Sequence, residues 1–223
     1  MCGRYNVIDD PFLTGLLTLL DIDLVLPTRL NIAPTEQVPV VISRDGERQI
    51  QDMRWWLLPP WTKELNTKYS SFNARSETLA ISKLFGRPYK SQRAILPASS
   101  FIEWQKTGAN KQAQLIEDPE QALALAAVFE RCKIEGNDIY SCSIVTRPAT
   151  ENFSGVHSRM PVMLRAEQFD DWLDPAVELH AQYAAFAQQP PDLRLTPLAK
   201  DVNNARNKAP TDQRVIGESK MIH

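Results

Sequence analysis

Short runs of apolar, β-branched and aromatic residues, separated by turn-forming residues, dominate this chain of 223 residues. Such runs are typical of β-strands rather than of long helices. They predict strands at residues 38–42, 50–58, 94–104, 123–129 and 139–146. Clusters of Pro, Gly and Asn predict turns between them, at residues 31–35, 59–61, 108–110 and 135–137.

Helical spacing of apolar residues is confined to a few short segments. It predicts helices at residues 11–20, 73–85, 167–173 and 175–188, followed by a loose polar tail after Asn203. No repeat is visible, and no alternation of strands with helices indicates a parallel sheet. We therefore expect one α+β domain over residues 1–223, with an antiparallel, β-barrel-like core, flanking helices and a polar tail from about residue 204.

The composition is that of an ordinary globular protein, with 43% apolar and 23% charged residues. The three cysteines form no CxxC pair and are odd in number, so they indicate neither a disulfide framework nor a zinc site. The sequence shows no signal peptide and no apolar run long enough to cross a membrane. We expect a reduced, cytoplasmic protein, nucleoid-associated if bacterial, that uses no metal or cofactor.

Charge is distributed unevenly, although the net charge is only −2. Residues 54–93 contain eight basic residues and two acidic ones. A basic patch of this kind is typical of phosphate binding, but a solvated surface explains it equally well.

Cys2 is the most informative residue for chemistry. Removal of Met1 would give it a free α-amine beside its thiol, with reference pKa values of about 7.7 and about 8.5. This pair condenses with an aldehyde to an imine, which the thiol then closes to a five-membered thiazolidine; it can also attack amides. The alternative is that Cys2 is a small buried apolar residue.

Three further side chains could take part in acid–base or positioning chemistry. His157 lies on a loop that enters a predicted strand and is the best acid–base candidate, although a lone histidine is more often structural. Glu103 interrupts an apolar strand, where it pairs with another group, has a raised pKa or faces solvent at a strand edge. Asn73 either holds a reacting group or caps the predicted helix that follows it.

Aromatic residues occur within the basic segment. Trp55, Trp56 and Trp61 offer rings for stacking nucleotide bases, and Arg75 can form a forked contact with a phosphate. Core packing is the alternative, and we favour it for Trp55.

Several short stretches, taken together and in this order, resemble the SRAP family of SOS-response-associated peptidases over nearly the whole chain. The stretches are MCGRY at 1–5, NIAP at 31–34, RWWLLPPW at 54–61, FNARSET at 72–78, PASSFIEW at 97–104, IVT at 144–146, HSRMPV at 157–162 and VNN at 202–204. Each stretch is weak evidence alone, and their joint order is specific.

The resemblance implies a sensor of abasic sites in single-stranded DNA that cross-links itself to the lesion. Cys2 would attack C1′ of the ring-opened sugar and close a thiazolidine. Asn73 would position the amine and the sugar, Glu103 would act as general acid and base, and His157 would exchange a proton with the sugar oxygen.

The resemblance also implies a barrel-like fold with a positively charged DNA cleft. Arg75 and Arg159 would hold phosphates, and further contacts to DNA would come from Arg4, Pro34, Trp61 and Thr146. The expected partner is single-stranded DNA with abasic sites, including junctions with duplex DNA. A monomer without membrane association is expected.

Some positions depart from the family pattern. Trp56 replaces a frequent Gly, Ala94 a frequent Cys, Ser99-Ser100 a frequent Asp-Gly and Ser158 a frequent Asp, and Thr62 stands where some members have a second Trp. Ser158 adjoins His157, so it would change how that imidazole is oriented. Cys2, Asn73, Glu103 and His157 are all retained.

Two other classes of function remain open. An N-terminal-nucleophile amidohydrolase or peptidase would also use Cys2, with a backbone or Asn oxyanion hole. A DNA-binding module with an inert Cys2 would retain Met1, because an acylated Cys2 nitrogen cannot form an imine.

Overall fold

A computed structural model describes residues 2–65, 69–177 and 189–223 of the chain. Within these ranges the chain forms fourteen strands and three short α-helices. The strands are β1 Tyr5–Val7, β2 Arg29–Ile32, β3 Gln37–Arg44, β4 Glu47–Trp55, β5 Asn73–Arg75, β6 Arg93–Ala98, β7 Ser100–Thr107, β8 Asn110–Glu117, β9 Leu123–Ile134, β10 Asn137–Pro148, β11 Arg159–Pro161, β12 Met163–Leu164, β13 Leu193–Pro197 and β14 Lys220–Ile222. The helices are α1 Pro11–Leu19, α2 Gly86–Ser91 and α3 Phe169–Leu173. The prediction of an α+β fold is confirmed.

Five strands close into a barrel. β10 pairs with β4, β4 with β3, β3 with β6, β6 with β9, and β9 pairs back with β10. All of these pairings are antiparallel except the one between β10 and β4. Closure leaves no unpaired edge in the ring, and the apolar side chains inside it form the centre of the core.

Three short strands extend this barrel sheet: β5 and β11 pair with β10, and β12 pairs with β9. The remaining six strands form a second sheet, in the order β14-β13-β8-β7-β1-β2. The predicted single strand at residues 94–104 is wrong, because this run divides at Ser99 between the barrel (β6) and the second sheet (β7). At Ser99 the chain passes from β6 to β7, and the Ser99 hydroxyl accepts a hydrogen bond from the Ile8 N–H at 2.8 Å. Both strands are buried on both sides of this point, so the hydrophobic pattern shows no break.

The predicted helix at residues 73–85 is also wrong. Its first three residues form β5, which pairs in parallel with β10, and a 3-10 turn and further turns follow. Strand pairing with a distant part of the chain overrides the local helical spacing. The next helix, α2, begins at Gly86, where a Cβ atom would lie 2.9 Å from the backbone oxygen of Ala80, so only glycine fits this close approach.

Several elements lie where the sequence predicts none, among them β1, β2, α2, β8, β13 and β14. β8 is a largely polar strand that pairs with β7 and β13. It lacks the apolar run by which the other strands are predicted. The tail after Asn203 is not loose: it contains a 3-10 turn at Pro210–Gln213 and ends in β14.

The helix predictions at residues 11–20 and 167–173 are confirmed. α1 begins after Asp10, whose carboxylate accepts a hydrogen bond from the Leu13 N–H at 2.8 Å, and Pro11 occupies its first position. α3 follows a 3-10 turn at Ala166–Gln168. The helix predicted at residues 175–188 falls mostly on residues 178–188, outside the described residues. Among those that are described, no helix has the length and apolarity to span a membrane.

Asn31 ties the second sheet to the tail. Its φ is 52°, a left-handed conformation that Asn tolerates better than most residues. Its side-chain Nδ2 lies 3.0–3.1 Å from three backbone oxygens, those of Val202, Asn204 and Asn207. Its backbone N–H donates to Oδ1 of Asn6, on β1, at 2.8 Å. The first predicted turn therefore also anchors the C-terminal segment.

This anchor predicts how Asn31 variants affect stability. Asn31→Gly keeps the left-handed backbone but loses the side-chain bonds, so we expect the free energy of unfolding to fall by about 2 kcal/mol. Asn31→Ala should cost about 1 kcal/mol more, because Cβ disfavours this conformation. Urea denaturation measures both values. An Asn31→Ala variant as stable as the wild type would contradict the anchor.

Candidate active site

Cys2 lies just before β1 and is fully buried. Its backbone oxygen accepts a hydrogen bond from Nδ2 of Asn73 at 2.9 Å. Its thiol is directed at the backbone oxygen of Arg4, with 3.7 Å between the sulfur and that oxygen. The residue is thus held by its backbone and by its side chain.

Glu103 reaches Cys2 through the pairing of β1 with β7. Tyr5 is opposite Phe101, and the Ile102 N–H donates to the oxygen of Arg4 at 2.9 Å. Continuing this antiparallel register places Glu103 opposite Gly3, beside Cys2. Glu103 is only 3% exposed, so its carboxylate acts on Cys2 without full screening by water.

Asn73 comes from the barrel side. As the first residue of β5 it is opposite Ile144 of β10, and it is 8% exposed. Its Oδ1 has no hydrogen-bond partner among the residues described in the structure. An acceptor beside Cys2 is therefore available for a donor supplied by a reacting group.

Burial raises the pKa of the Cys2 thiol strongly, and the negative charge of Glu103 raises it further. The thiol is therefore protonated at neutral pH. Cys142, buried in β10, also has its pKa raised by desolvation, but no carboxylate contributes there. Glu103 thus distinguishes the environment of Cys2 from that of an ordinary core cysteine.

His157 lies in the loop between β10 and β11. This loop packs against β7, the strand of Glu103: the Phe153 and Phe101 rings are 6.2 Å apart, and Gln105 Nε2 donates to the oxygen of Gly155 at 3.0 Å. His157 Nδ1 lies 3.0 Å from the Arg159 backbone nitrogen and 3.2 Å from the Arg159 oxygen, so the Arg159 backbone holds this face of the ring in either tautomer.

The Arg159 side chain is only 11% exposed and is held by two residues. Nη1 and Nη2 donate to the two carboxylate oxygens of Glu77 at 2.7 and 2.8 Å. Nε donates to the hydroxyl of Thr146 at 3.2 Å, and Nη2 donates to its backbone oxygen at 2.7 Å. Thr146 is fully buried, so it contacts Arg159 rather than solvent.

Glu77 is the residue of this site that sequence reasoning missed. The hydrogen bonds from Arg159 are the main cause that lowers the Glu77 pKa to about 2. The residue is part of the stretch at 72–78, but its partner lies 82 positions away along the chain. Only the fold brings the two together.

The other predicted DNA-binding residues lie at the surface or close to it. Arg4 places its guanidinium 5.7 Å from the ring centre of Trp104 and donates to the oxygen of Gly3. Arg75, at the end of β5, is exposed and has no ion-pair partner within the described part of the chain. Trp61 is 65% exposed, and Pro34 is partly buried in a turn.

The large grooves are elsewhere. One, of about 880 Å³, runs between α1, residues 118–124 and residues 163–169; another, of about 340 Å³, lies beside Arg29 and Lys208. Neither is lined by Cys2, Asn73, Glu103 or His157. In the described ranges, no group of three or more His, Cys, Asp or Glu side chains could hold a metal ion. The candidate site is a buried cluster where the barrel meets the second sheet.

Comparisons with known proteins agree on one family. The family model described as "SOS response associated peptidase (SRAP)" matches residues 1–205. Abasic site processing protein YoqW of Bacillus subtilis is 30% identical over 221 residues, covering 94% of this chain and 97% of that protein. Abasic site processing protein YoaM of the same organism is 33% identical over 186 residues, covering 78% of this chain and 80% of that protein.

A solved structure shows the same fold. A protein from Bacteroides thetaiotaomicron superposes with a TM-score of 0.81 at 19% identity, covering 96% of this chain and 99% of that one. At this level of identity the likeness concerns the fold alone.

The electrostatic effect of Glu103 can be tested directly. Glu103→Gln removes a negative charge beside the thiol, so the pKa of Cys2 should fall and its alkylation by iodoacetamide at pH 8 should be at least about twofold faster. Peptide mapping separates Cys2 from the other two cysteines. Glu117→Gln, on β8, is the matched control and should leave the rate unchanged; an unchanged or slower rate for Glu103→Gln would contradict this account.

Proposed function

The chain belongs to the SRAP family, and on that premise we propose that it processes abasic sites in single-stranded DNA by forming a covalent bond through Cys2. The printed names of its relatives, abasic site processing proteins, support the substrate. The convergence of Cys2, Asn73 and Glu103 at one buried point is the observation that carries the chemistry.

The proposed reaction needs the free α-amine of Cys2, and therefore removal of Met1. The amine attacks C1′ of the ring-opened sugar aldehyde and loses water to give an imine. The sulfur of Cys2 then adds to the imine carbon, and the thiol proton moves to the nitrogen. The product is a thiazolidine; one water is released, and no oxidant or reductant is needed.

Glu103 is the proton carrier next to Cys2. Proton transfer is needed when the carbinolamine loses water and again when the thiol adds, and a carboxylate within reach serves both steps. Because the pKa of the thiol is raised, it keeps its proton until the imine is in place. Glu103 then accepts this proton as the C–S bond forms.

Asn73 and His157 have complementary roles. Asn73 fixes the Cys2 backbone through Nδ2, and its Oδ1 accepts a hydrogen bond from the amine or a sugar hydroxyl. His157 exchanges a proton with the ring oxygen of the sugar: the imidazolium gives the proton as the ring opens, and the neutral imidazole takes it back on reversal.

The DNA backbone follows the exposed residues near this cluster. Arg75 lies two positions after Asn73 and binds a phosphate next to the lesion. Arg159, held by Thr146, binds a second flanking phosphate. Arg4, Pro34 and Trp61 provide further contacts, with Trp61 available to stack on a base. The protein acts as a monomer in the cytoplasm under this proposal.

Variants of Cys2 test the chemistry. Incubated with single-stranded DNA that contains one abasic site, wild-type protein should give an adduct that survives heating in denaturant. Cys2→Ser keeps the amine but cannot form the ring through sulfur, so its adduct should persist only after borohydride reduction of the imine. Gel electrophoresis reads both outcomes.

Undamaged DNA is the substrate control, and Cys142→Ser is the matched cysteine control. A heat-stable adduct from Cys2→Ser without reduction would contradict the thiazolidine. Hydrolysis of glutamine or a peptide that is lost in Cys2→Ala, without any adduct in the wild type, would favour the amidohydrolase instead.

The phosphate role of Arg75 has a salt signature. Arg75→Ala should weaken binding to single-stranded DNA of any sequence, and the plot of log affinity against log salt should become less steep by about 0.7. Fluorescence anisotropy at several salt concentrations measures both. Arg44→Ala, an exposed arginine at the opposite end of β3 from the turn at residues 33–36, is the control. Equal slopes for Arg75→Ala and the wild type would refute the contact.

A further inference from the structure

We propose that the hydroxyl of Thr35 donates a hydrogen bond to a phosphate of the bound DNA, and that the strained backbone of this residue is retained for that contact. Because the contact needs a DNA strand that runs past the turn at residues 33–36, it rests on the proposed function. Thr35 adds a neutral donor to the charged and apolar residues already placed along the DNA.

The backbone of Thr35 has a conformation that suits its side chain poorly. Its φ is 82°, in the left-handed region, where a β-branched residue is a steric outlier. None of the other residues besides glycine that have positive φ in the described ranges is β-branched: they are Asp21, Asn31, Asp45 and Glu135. Glycine would adopt this conformation without strain, so the threonine side chain destabilises the turn.

The shape of the turn does not depend on that side chain. The Thr35 N–H donates to the oxygen of Trp55, and the Trp55 N–H donates to the oxygen of Glu36, each at 2.9 Å. Arg54 Nη1 donates to the oxygen of Thr35 at 2.9 Å. The Ala33 N–H donates to Oε1 of Glu36 at 2.9 Å. All of these bonds would remain with glycine in place of Thr35.

The Thr35 side chain also lacks the burial that would offset the strain. It is exposed, and its hydroxyl takes part in no hydrogen bond within the part of the chain that the structure describes. Strain that nothing in the fold offsets is typical of functional sites. A hydroxyl is a neutral donor, and the hydroxyls of Ser and Thr are regular partners of DNA phosphates. The chemistry of the exposed group therefore fits a phosphate oxygen.

The turn lies beside residues already assigned to DNA. β2 pairs antiparallel with β1, and the chain leaves β2 towards the turn alongside Arg4, which directly precedes β1. Burial lowers the pKa of Arg4, and the carboxylate of Glu36, the last residue of the turn, opposes that shift, so the two groups are close. Pro34 directly precedes Thr35. A DNA strand that contacts Arg4 and Pro34 therefore passes the Thr35 hydroxyl.

Binding to an unreactive oligonucleotide tests the contact without the chemistry of Cys2. The probe is single-stranded DNA whose abasic sugar is replaced by tetrahydrofuran, which lacks the aldehyde, and fluorescence anisotropy measures its affinity. For Thr35→Val, which has a similar shape but no hydroxyl, we expect a dissociation constant about fivefold higher. Because a hydroxyl carries no charge, the slope of log affinity against log salt should equal that of the wild type, unlike the slope of Arg75→Ala.

Two further variants separate the contact from the strain. Thr35→Ser keeps the hydroxyl and should bind within about twofold of the wild type. Thr35→Gly loses the hydroxyl and the strain together, so it should bind as weakly as Thr35→Val. Its melting temperature should rise by about 2 °C, because relief of the strain outweighs the added entropy of the unfolded chain. Weaker binding in a more stable protein is a combination that a purely structural role does not produce.

Glu135→Gly is the matched control. Glu135 also has a left-handed backbone, with a φ of 51°, in the turn between β9 and β10. This variant should bind the probe like the wild type. Thermal unfolding verifies that each variant is folded, and Thr35→Gly carries the binding test if Thr35→Val is not.

Several results would overturn the proposal. These are wild-type affinity in Thr35→Val or Thr35→Gly, binding by Thr35→Ser as weak as that of Thr35→Val, and a lower melting temperature for Thr35→Gly. A loss that appears with only one of two probes of different flanking sequence would assign the hydroxyl to a base instead of a phosphate. Wild-type protein that binds the probe but gives no adduct with a true abasic site would overturn the proposed cross-link and leave this contact standing. Wild-type protein that does not bind the probe would overturn both.

Discussion

The parallel pairing of the three-residue strand β5 with β10 holds the candidate site together. It places Asn73 against the backbone of Cys2 and leaves Arg75 exposed at the end of the strand. The turn that follows β5 carries Glu77 to Arg159, and so towards His157. Because β10 is also a barrel strand, this short segment connects the barrel to the residues just before β1, which include Cys2. Loss of the pairing would separate all of these groups at once.

Burial of Cys2 has two consequences. It raises the pKa of the thiol, so the sulfur does not react readily with solutes in bulk solvent. It also limits what can reach the residue. An abasic nucleotide has no base, so its sugar is small enough to approach where an intact nucleotide is excluded. Under the proposed function, the packing around Cys2 thus contributes to selectivity together with the aldehyde chemistry.

Much of the fold can be predicted from local pattern, and the failures have a common cause. α1 and the strands β3, β9 and β10 follow from their own residues, since each has a regular apolar pattern. The local sequence of β5 predicts a helix, because its strand conformation comes only from pairing with β10, about 70 positions away. The site residues Cys2, Asn73, Glu103 and His157 follow from the family resemblance, whereas Glu77 needs a long-range partner that no local signal reveals.

The central claim is that Cys2 without Met1 condenses with the abasic aldehyde. Intact-protein mass spectrometry tests it most directly, with untreated protein measured beside protein incubated with single-stranded abasic DNA. We expect an untreated mass that lacks Met1 and an adduct whose mass is the sum of protein and oligonucleotide less one water, absent in Cys2→Ala after heating. Protein that lacks Met1 and yet gives no such adduct would contradict it.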